Sequence, residues 1–298
     1  MRSQLWLKRE DELSFTMSGP KFRKLCGLKF AAKPFQTIVS WGSARSAFLL
    51  GLAQIAKEEG KDLELFLLKS TPWETSGTDR LYENAFAGHT VHWVDRKDWP
   101  FISSLAARED ALVIPEGGVG IHCLAGALTL ALDICDQMTR LETEWETIWI
   151  DAGSGFTAQS LILGLGLLLR DPPHVNVVLC AGNAESFAGG LQSLEAALKN
   201  ALNISAIPAP YSCHRPPTAA SYGATNQAVW STIARYHQSM GILLDPLYTA
   251  KLMMCFEAYP ENEAGSLSTL IIHSGGGLNN FGYKSGLTVH HSPASPSE

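Results

Sequence analysis

Short and long apolar runs alternate along the chain. Short runs rich in Val, Ile and Leu predict strands at 4–7, 37–41, 63–68, 89–94, 111–114, 147–150, 175–180 and 270–273. Longer runs predict helices at 21–33, 47–59, 80–88, 99–108, 121–141, 158–169, 184–201 and 225–240, with one more opened by 244–249. Continuously apolar strands that alternate with helices are typical of parallel sheets flanked by helices on both faces. The sequence therefore predicts an α/β protein.

The alternation is interrupted by the Pro-Glu-Gly-Gly segment at 115–118. We therefore predict two domains: a small one at 34–118, inserted into a larger one formed by 1–33 and 119–288. The proline-rich stretch 207–218 predicts a wrapping loop. Residues 289–298 have no pattern of apolar positions, and we predict a disordered tail there.

A glycine-rich turn, Asp-Ala-Gly-Ser-Gly-Phe-Thr at 151–157, follows a predicted strand and precedes a predicted helix. This arrangement directs backbone N–H groups at an anion. Gly153 and Gly155 allow close approach of a ligand, and Ser154 and Thr157 add hydroxyl groups. The turn matches neither the P-loop nor the dinucleotide-binding pattern. It predicts a phosphate cradle, with a tight connection that binds nothing as the alternative.

Two lysines lie at the start of the helix that Pro20 opens. Lys21 and Lys24 are three residues apart and therefore share one helix face. Positive charge is disfavoured at a helix N-terminus, so such a lysine points to solvent or has a function. The charged residues at 8–12 predict a solvated turn.

Composition excludes several classes of protein. Of the 298 residues, 46% are hydrophobic and 17% are charged, which fits a globular protein with a sizeable core. The net charge of −6, without a Lys/Arg cluster, argues against nucleic acids and membranes as partners. Six scattered cysteines without a C-x-x-C pattern predict free thiols in a reducing, cytoplasmic compartment.

Several short motifs occur together in one order: Lys-Arg-Glu-Asp at 8–11, Lys21-x-Arg-Lys24, Tyr222-Gly223, Asp245-Pro-x-Tyr-Thr249 and His273-x-Gly-Gly276. In this order and spacing the chain resembles the family of the 1-aminocyclopropane-1-carboxylate (ACC) deaminases and D-cysteine desulfhydrases. Those enzymes use pyridoxal 5'-phosphate (PLP) and have the two-domain tryptophan synthase β-like fold, also called PLP fold type II. The resemblance runs from about residue 5 to residue 283.

The resemblance also implies roles for individual residues. Lys21 matches the lysine that forms the Schiff base with PLP and moves a proton at the substrate Cα. The implied cofactor-binding residues are Lys24, Gly153, Ser154, Gly155 and Thr157 around the phosphate, and Thr249 beside the pyridine nitrogen. The implied substrate-binding residues are Ser46 at the substrate carboxylate, with Tyr222 and Tyr248. A helix cap at Ser46 and purely structural tyrosines are the alternatives, and His273 is interpreted as structural.

The implied function is a PLP-dependent lyase or deaminase that acts on a small amino acid and needs no metal. Because Thr249 is neutral, β-elimination from D-cysteine to a 2-oxo acid, ammonia and sulfide is favoured over opening of the ACC ring. ACC deamination is one alternative, and a PLP-binding homologue that serves as a carrier without turnover is another. Pro20 and Ala47 replace family asparagines, and Phe156 replaces a small residue. We expect a homodimer.

Overall fold

The computed structural model describes residues 5–17, 19–69, 78–259 and 268–283. The strands are β1 Leu5–Arg9, β2 Thr37–Ser43, β3 Asp62–Leu68, β4 Thr90–Val94, β5 Ala111–Ile114, β6 Thr147–Ala152, β7 His174–Leu179, β8 Tyr211–His214 and β9 Thr269–His273. The helices are α1 Pro20–Ala32, α2 Ala47–Glu58, α3 Asp79–Phe86, α4 Ile102–Leu105, α5 Ile121–Leu141, α6 Phe156–Leu168, α7 Ala184–Leu202, α8 Gln227–Met240 and α9 Thr249–Glu257. Short 3-10 turns include Glu10–Glu12 and Glu116–Gly118.

The strands form two parallel sheets. One has the order β1-β9-β6-β7-β8 and the other the order β4-β3-β2-β5. The predicted α/β class with parallel sheets is confirmed. Every strand of the smaller sheet falls within 34–118, the range predicted for the small domain. The division into domains itself stays a prediction, and the predicted tail 289–298 lies outside the described residues.

The core of the larger sheet forms around β6 and α6, which are buried along nearly their whole length. Helix α5 packs between α1 and α6. By length and composition α5 could also cross a membrane. Its buried face, which includes Leu124, Leu130 and Ile134, instead belongs to the hydrophobic core. A helix that packs against two neighbours needs a wide apolar face, which these residues supply.

Strand β8 corrects one prediction. It lies inside the stretch 207–218 that was expected to be a loop, and it pairs with β7, with Tyr211 opposite Val175. An edge strand has only one partner and is incompletely buried, so it does not need a continuous apolar run. The sequence Tyr-Ser-Cys-His and the prolines on both sides therefore do not predict a strand. The helix predicted at 99–108 was also too long. It is a 3-10 turn followed by the four residues of α4, after which the chain turns into β5.

Of the charged residues at 8–12, which were expected to be solvated, Glu12 is exposed, but Lys8 and Glu10 are buried. Glu10 is 1% exposed and its carboxylate accepts two hydrogen bonds from Arg23, both 2.7 Å long. Lys8 Nζ donates to Asp133 at 2.7 Å, and Arg23 also reaches Asp133. Paired in this way, the charges tolerate burial. The network ties the end of β1 to α1 and α5, and it thereby holds the helix that carries Lys21.

Candidate functional site

The start of α1 is fixed by a backbone contact. Gly19 caps the helix with φ +63°, and a Cβ atom placed on it would lie 1.8 Å from the carbonyl oxygen of Ser274. Ser274 follows directly after β9. Only glycine can accept both the positive φ and this contact. Lys21 is therefore held at the carboxyl end of the larger sheet, where parallel α/β proteins place their ligands.

The Lys21 amine is free of direct polar partners. Among the described residues no hydrogen bond or ion pair involves Nζ, which lies 5.9 Å from the centroid of the Tyr248 ring. Burial lowers the pKa of Lys21, and the carboxylates of Asp151 and Asp245 partly oppose this change. A buried amine with a lowered pKa is more readily neutral, and a neutral amine can attack a carbonyl group.

Two tyrosines meet beside this amine. The hydroxyl groups of Tyr222 and Tyr248 are 3.2 Å apart, within hydrogen-bonding distance. Burial, followed by the effect of Tyr222, raises the pKa of Tyr248 well above its ordinary value. A Cβ atom on Gly153 would lie 3.0 Å from the Tyr248 ring. The structure therefore brings Lys21, both predicted tyrosines and the glycine-rich turn together.

The glycine-rich turn has the geometry of an anion site. Gly155 caps α6 with φ +84°, and no side chain caps the helix. The N–H groups of the first turn of α6 therefore lack a side-chain acceptor, which suits a phosphate group. Ser154 is exposed and Thr157 is partly buried. Both hydroxyl-bearing residues thus lie where the sequence predicted them, on the turn and in the first turn of α6.

Lys24 lies next to this turn. Its Nζ donates to the carbonyl oxygen of Gly117 at 2.8 Å, and a Cβ atom on Gly117 would lie 3.3 Å from Ser154 Oγ. The ring centroids of Phe48 and Phe156 are 5.7 and 5.4 Å from the Lys24 Nζ. Burial, followed by the charge of Lys21, lowers the pKa of Lys24 to about 7.

Thr249 is buried against Asp245. Its hydroxyl donates to Asp245 Oδ2 at 2.8 Å and accepts from the Asp245 N–H at 2.6 Å. The Asp245 carboxylate also accepts the N–H groups of Leu247, Tyr248 and Thr249, so that it closes the start of α9. The hydroxyl proton of Thr249 is thus already used, and towards a ring nitrogen this oxygen could act only as an acceptor.

Ser46 caps α2, which was the alternative to a substrate-binding role. Its Oγ accepts the Leu49 N–H at 3.4 Å, which leaves the hydroxyl proton to donate elsewhere. A Cβ atom on Gly42 would lie 3.6 Å from both Ser46 Cβ and the Glu116 carboxylate. Ser46 is therefore linked to the glycine-rich turn only indirectly, through the segment Glu116–Gly118 that also carries Gly117.

Asp151 is a residue of this site for which no role was predicted from the sequence. It lies at the buried end of β6, and its Oδ1 accepts a hydrogen bond from Ser274 Oγ at 2.6 Å. Burial raises the pKa of Asp151 to about 7, a change that the Ser274 hydrogen bond opposes. The available signal was a single carboxylate at the end of an otherwise apolar strand. Among the described residues, no group of three His, Cys, Asp or Glu side chains could hold a metal ion.

Comparison with known proteins identifies relatives of this chain. No protein-family model matches the chain. It is 27% identical to a D-cysteine desulfhydrase of Serratia proteamaculans, over 94% of this chain and 88% of the relative. It is 26% identical to a putative ACC deaminase of Thermotoga maritima, over 91% of this chain and 88% of the relative. The chain is a relative of these two kinds of protein. The resemblance inferred from the motifs is thereby confirmed.

The solved structures agree with this relationship. An ACC deaminase homologue superimposes with a TM-score of 0.76 at 22% identity, over 94% of this chain and 86% of that chain. The chain therefore has PLP fold type II, as predicted. Identities of 26 and 27% support the relationship, but they do not choose between the two substrates.

Proposed function

We propose that this desulfhydrase-like chain is a PLP-dependent lyase that eliminates the β-substituent of D-cysteine or a closely similar small amino acid. The products are a 2-oxo acid and ammonia, with sulfide from D-cysteine. One observation carries the proposal: the Lys21 amine, without a hydrogen bond to any described residue, lies 5.9 Å from the centroid of the Tyr248 ring, where the glycine-rich turn and the Tyr222–Tyr248 pair meet.

The site fits PLP. Lys21 would offer the cofactor aldehyde an amine that has no hydrogen bond to the described residues, and the turn 153–157 would offer N–H groups without a side-chain cap to its phosphate. Lys24 supplies a cation beside that turn. A side chain on Gly153 would fill the space next to Tyr248. When bound, PLP serves as an electron sink for the charge that develops at the substrate Cα.

Different side chains carry out proton abstraction, protonation of the leaving group and binding of the substrate carboxylate. The Lys21 amine takes the proton from Cα, since its pKa is lowered and it has no hydrogen bond to any described residue. Tyr248 stays protonated because its pKa is raised, and through Tyr222 it can donate a proton to the departing sulfur. Ser46 retains a hydroxyl proton to donate to the substrate carboxylate.

Thr249 favours elimination over ring opening. Its hydroxyl proton is used by Asp245, so it does not protonate the pyridine nitrogen as a carboxylic acid could. A weaker electron sink is sufficient when thiolate leaves, whereas opening an unactivated cyclopropane needs more stabilisation. ACC deamination is the second candidate, because relatives with that name match the chain.

The test begins with the cofactor. The purified protein should absorb near the visible edge, and borohydride reduction should fix the label on Lys21, whereas Lys21→Ala should lose both signals and Lys29→Ala neither. D-cysteine should then yield pyruvate and sulfide. Failure to bind added PLP would overturn the proposal. Bound PLP without turnover of D-cysteine, D-serine or ACC would instead identify a carrier, and rapid turnover of ACC alone a deaminase.

A further inference from the structure

Two buried carboxylates act on Lys21, and they are used differently. The Asp245 carboxylate accepts three backbone N–H groups, the Thr249 hydroxyl and the Asn279 amide. It is therefore committed to closing α9. The Asp151 carboxylate accepts a side-chain hydrogen bond only from Ser274 among the described residues. Asp151 is thus the carboxylate with capacity left for another group.

Asp151 and Lys21 share two neighbours, Tyr248 and Ser274. Asp151 lies two residues before Gly153, where a Cβ atom would lie 3.0 Å from the Tyr248 ring. The centroid of that ring is 5.9 Å from the Lys21 Nζ. Ser274, which donates to Asp151, lies against Gly19, two residues before Lys21. Asp151 is 8% exposed, so water screens its charge poorly.

We propose that Asp151, oriented by the hydroxyl of Ser274, is a positioning residue that keeps the Lys21 amine able to hold a proton. This inference deepens the proposed function and rests on it. When Lys21 takes the proton from the substrate Cα, the proton binds to Nζ and the neutral amine becomes an ammonium ion. A desolvated amine without a negative neighbour would hold that proton weakly, and it would then be a poor base.

The charged groups around Lys21 have effects of opposite direction on its pKa. Burial lowers the pKa of Lys21 and raises that of Asp151 to about 7, so above about pH 7 an ionised Asp151 increases the proton affinity of the amine. The other titratable groups that face the pair are Asp245, Cys180, Tyr248 and Lys24. Burial raises the pKa of Cys180 and Tyr248, which keeps both neutral. Lys24 repels the Lys21 charge.

The experiment measures Lys21 in the full-length chain without cofactor. Acetic anhydride labels neutral amines, and mass spectrometry follows the labelling of Lys21 between about pH 6 and pH 11. In Asp151→Asn the labelling midpoint should move down by about one pH unit, which makes labelling about tenfold faster below both midpoints. Ser274→Ala should cause a smaller downward shift. Asp136→Asn removes an exposed carboxylate paired with Arg140 and should cause none.

The direction of the shift separates electrostatics from loosening of the site. A variant that merely opened the site would expose Lys21 and Lys24 together, and both midpoints would rise towards the ordinary value near 10.4. An upward or absent shift of Lys21 in Asp151→Asn would overturn the inference. Protection of Lys21 by added PLP tests the proposed function separately. If PLP gives no protection while the downward shift persists, the proposed function fails and the charge coupling stands.

Discussion

Replacing Lys24 by methionine tests whether the proposed phosphate-binding end of the site carries a charge that destabilises the fold. The side chain is 4% exposed, and burial followed by the Lys21 charge lowers its pKa to about 7. Methionine has a similar length and no charge. We expect Lys24→Met to stabilise the cofactor-free protein at acidic pH and, at the same time, to weaken the retention of PLP.

The sign and the size follow from linkage. The unfolded chain holds the Lys24 proton up to about pH 10.4, whereas the folded chain releases it near pH 7, so below that value the fold bears the full cost of the charge. The difference corresponds to roughly 4–5 kcal/mol. Two interactions of the Lys24 ammonium group offset part of this cost. The aromatic faces of Phe48 and Phe156 contribute up to about 2 kcal/mol, and the hydrogen bond to Gly117 contributes about 1 kcal/mol.

The expected stabilisation by Lys24→Met is therefore about 2–3 kcal/mol near pH 6, and it falls to about 1 kcal/mol near pH 9 as the folded parent becomes neutral there. Urea unfolding at both pH values measures it. Lys29→Met is the matched control, because Lys29 lies on the same helix, pairs with Glu58 and Glu59, and has a raised pKa. Its effect should be equal at the two pH values. Equal effects for Lys24→Met would refute the reasoning.

Three further predictions concern neighbouring residues. Ala47→Asn should restore a polar contact to the cofactor and slow PLP loss on dialysis by up to about tenfold, whereas faster loss would contradict the assignment of this turn. Gly19→Ala should cost more than about 3 kcal/mol in denaturant unfolding because of the clash with Ser274, whereas Gly60→Ala, with the same φ of +63° and open space, should cost about 1 kcal/mol. Thr249→Glu should raise the ratio of ACC to D-cysteine turnover but lower the melting temperature, since its carboxylate would meet Asp245; an unchanged ratio would remove Thr249 from the argument on specificity.

The elements that could be predicted from the sequence are those with strong local signals. Helix α5 was predicted with its observed bounds, because 21 residues of apolar periodicity leave little choice. The buried strands β5 and β6 were predicted because each contains a short, continuous apolar run. The glycine-rich turn was recognised from its glycines, and the structure shows why one is needed: Gly155 has a positive φ. Its phosphate-binding role stays a prediction, as do the roles of the other site residues and the homodimer.

The features that escaped prediction depend on partners far away in sequence. The hydrogen bond between Asp151 and Ser274 joins residues 123 positions apart, and no local pattern announces it. Lys8 and Glu10 were expected to be solvated because charged side chains usually are, and their burial is compensated by each other and by distant partners such as Arg23 and Asp133. The orientation of the Thr249 hydroxyl likewise follows from Asp245 in three dimensions.

The contact between Gly19 and Ser274 has a consequence for biosynthesis. The first described strand, β1, pairs with the last described strand, β9, and the start of α1 is set by the residue that follows β9. Lys21 therefore emerges from the ribosome long before the residues that fix its position. A nascent chain carries the proposed Schiff-base lysine without the site around it. We expect stable capture of the cofactor only after Ser274 has been synthesised and β9 has entered the sheet, which makes holoenzyme formation a late, post-translational event.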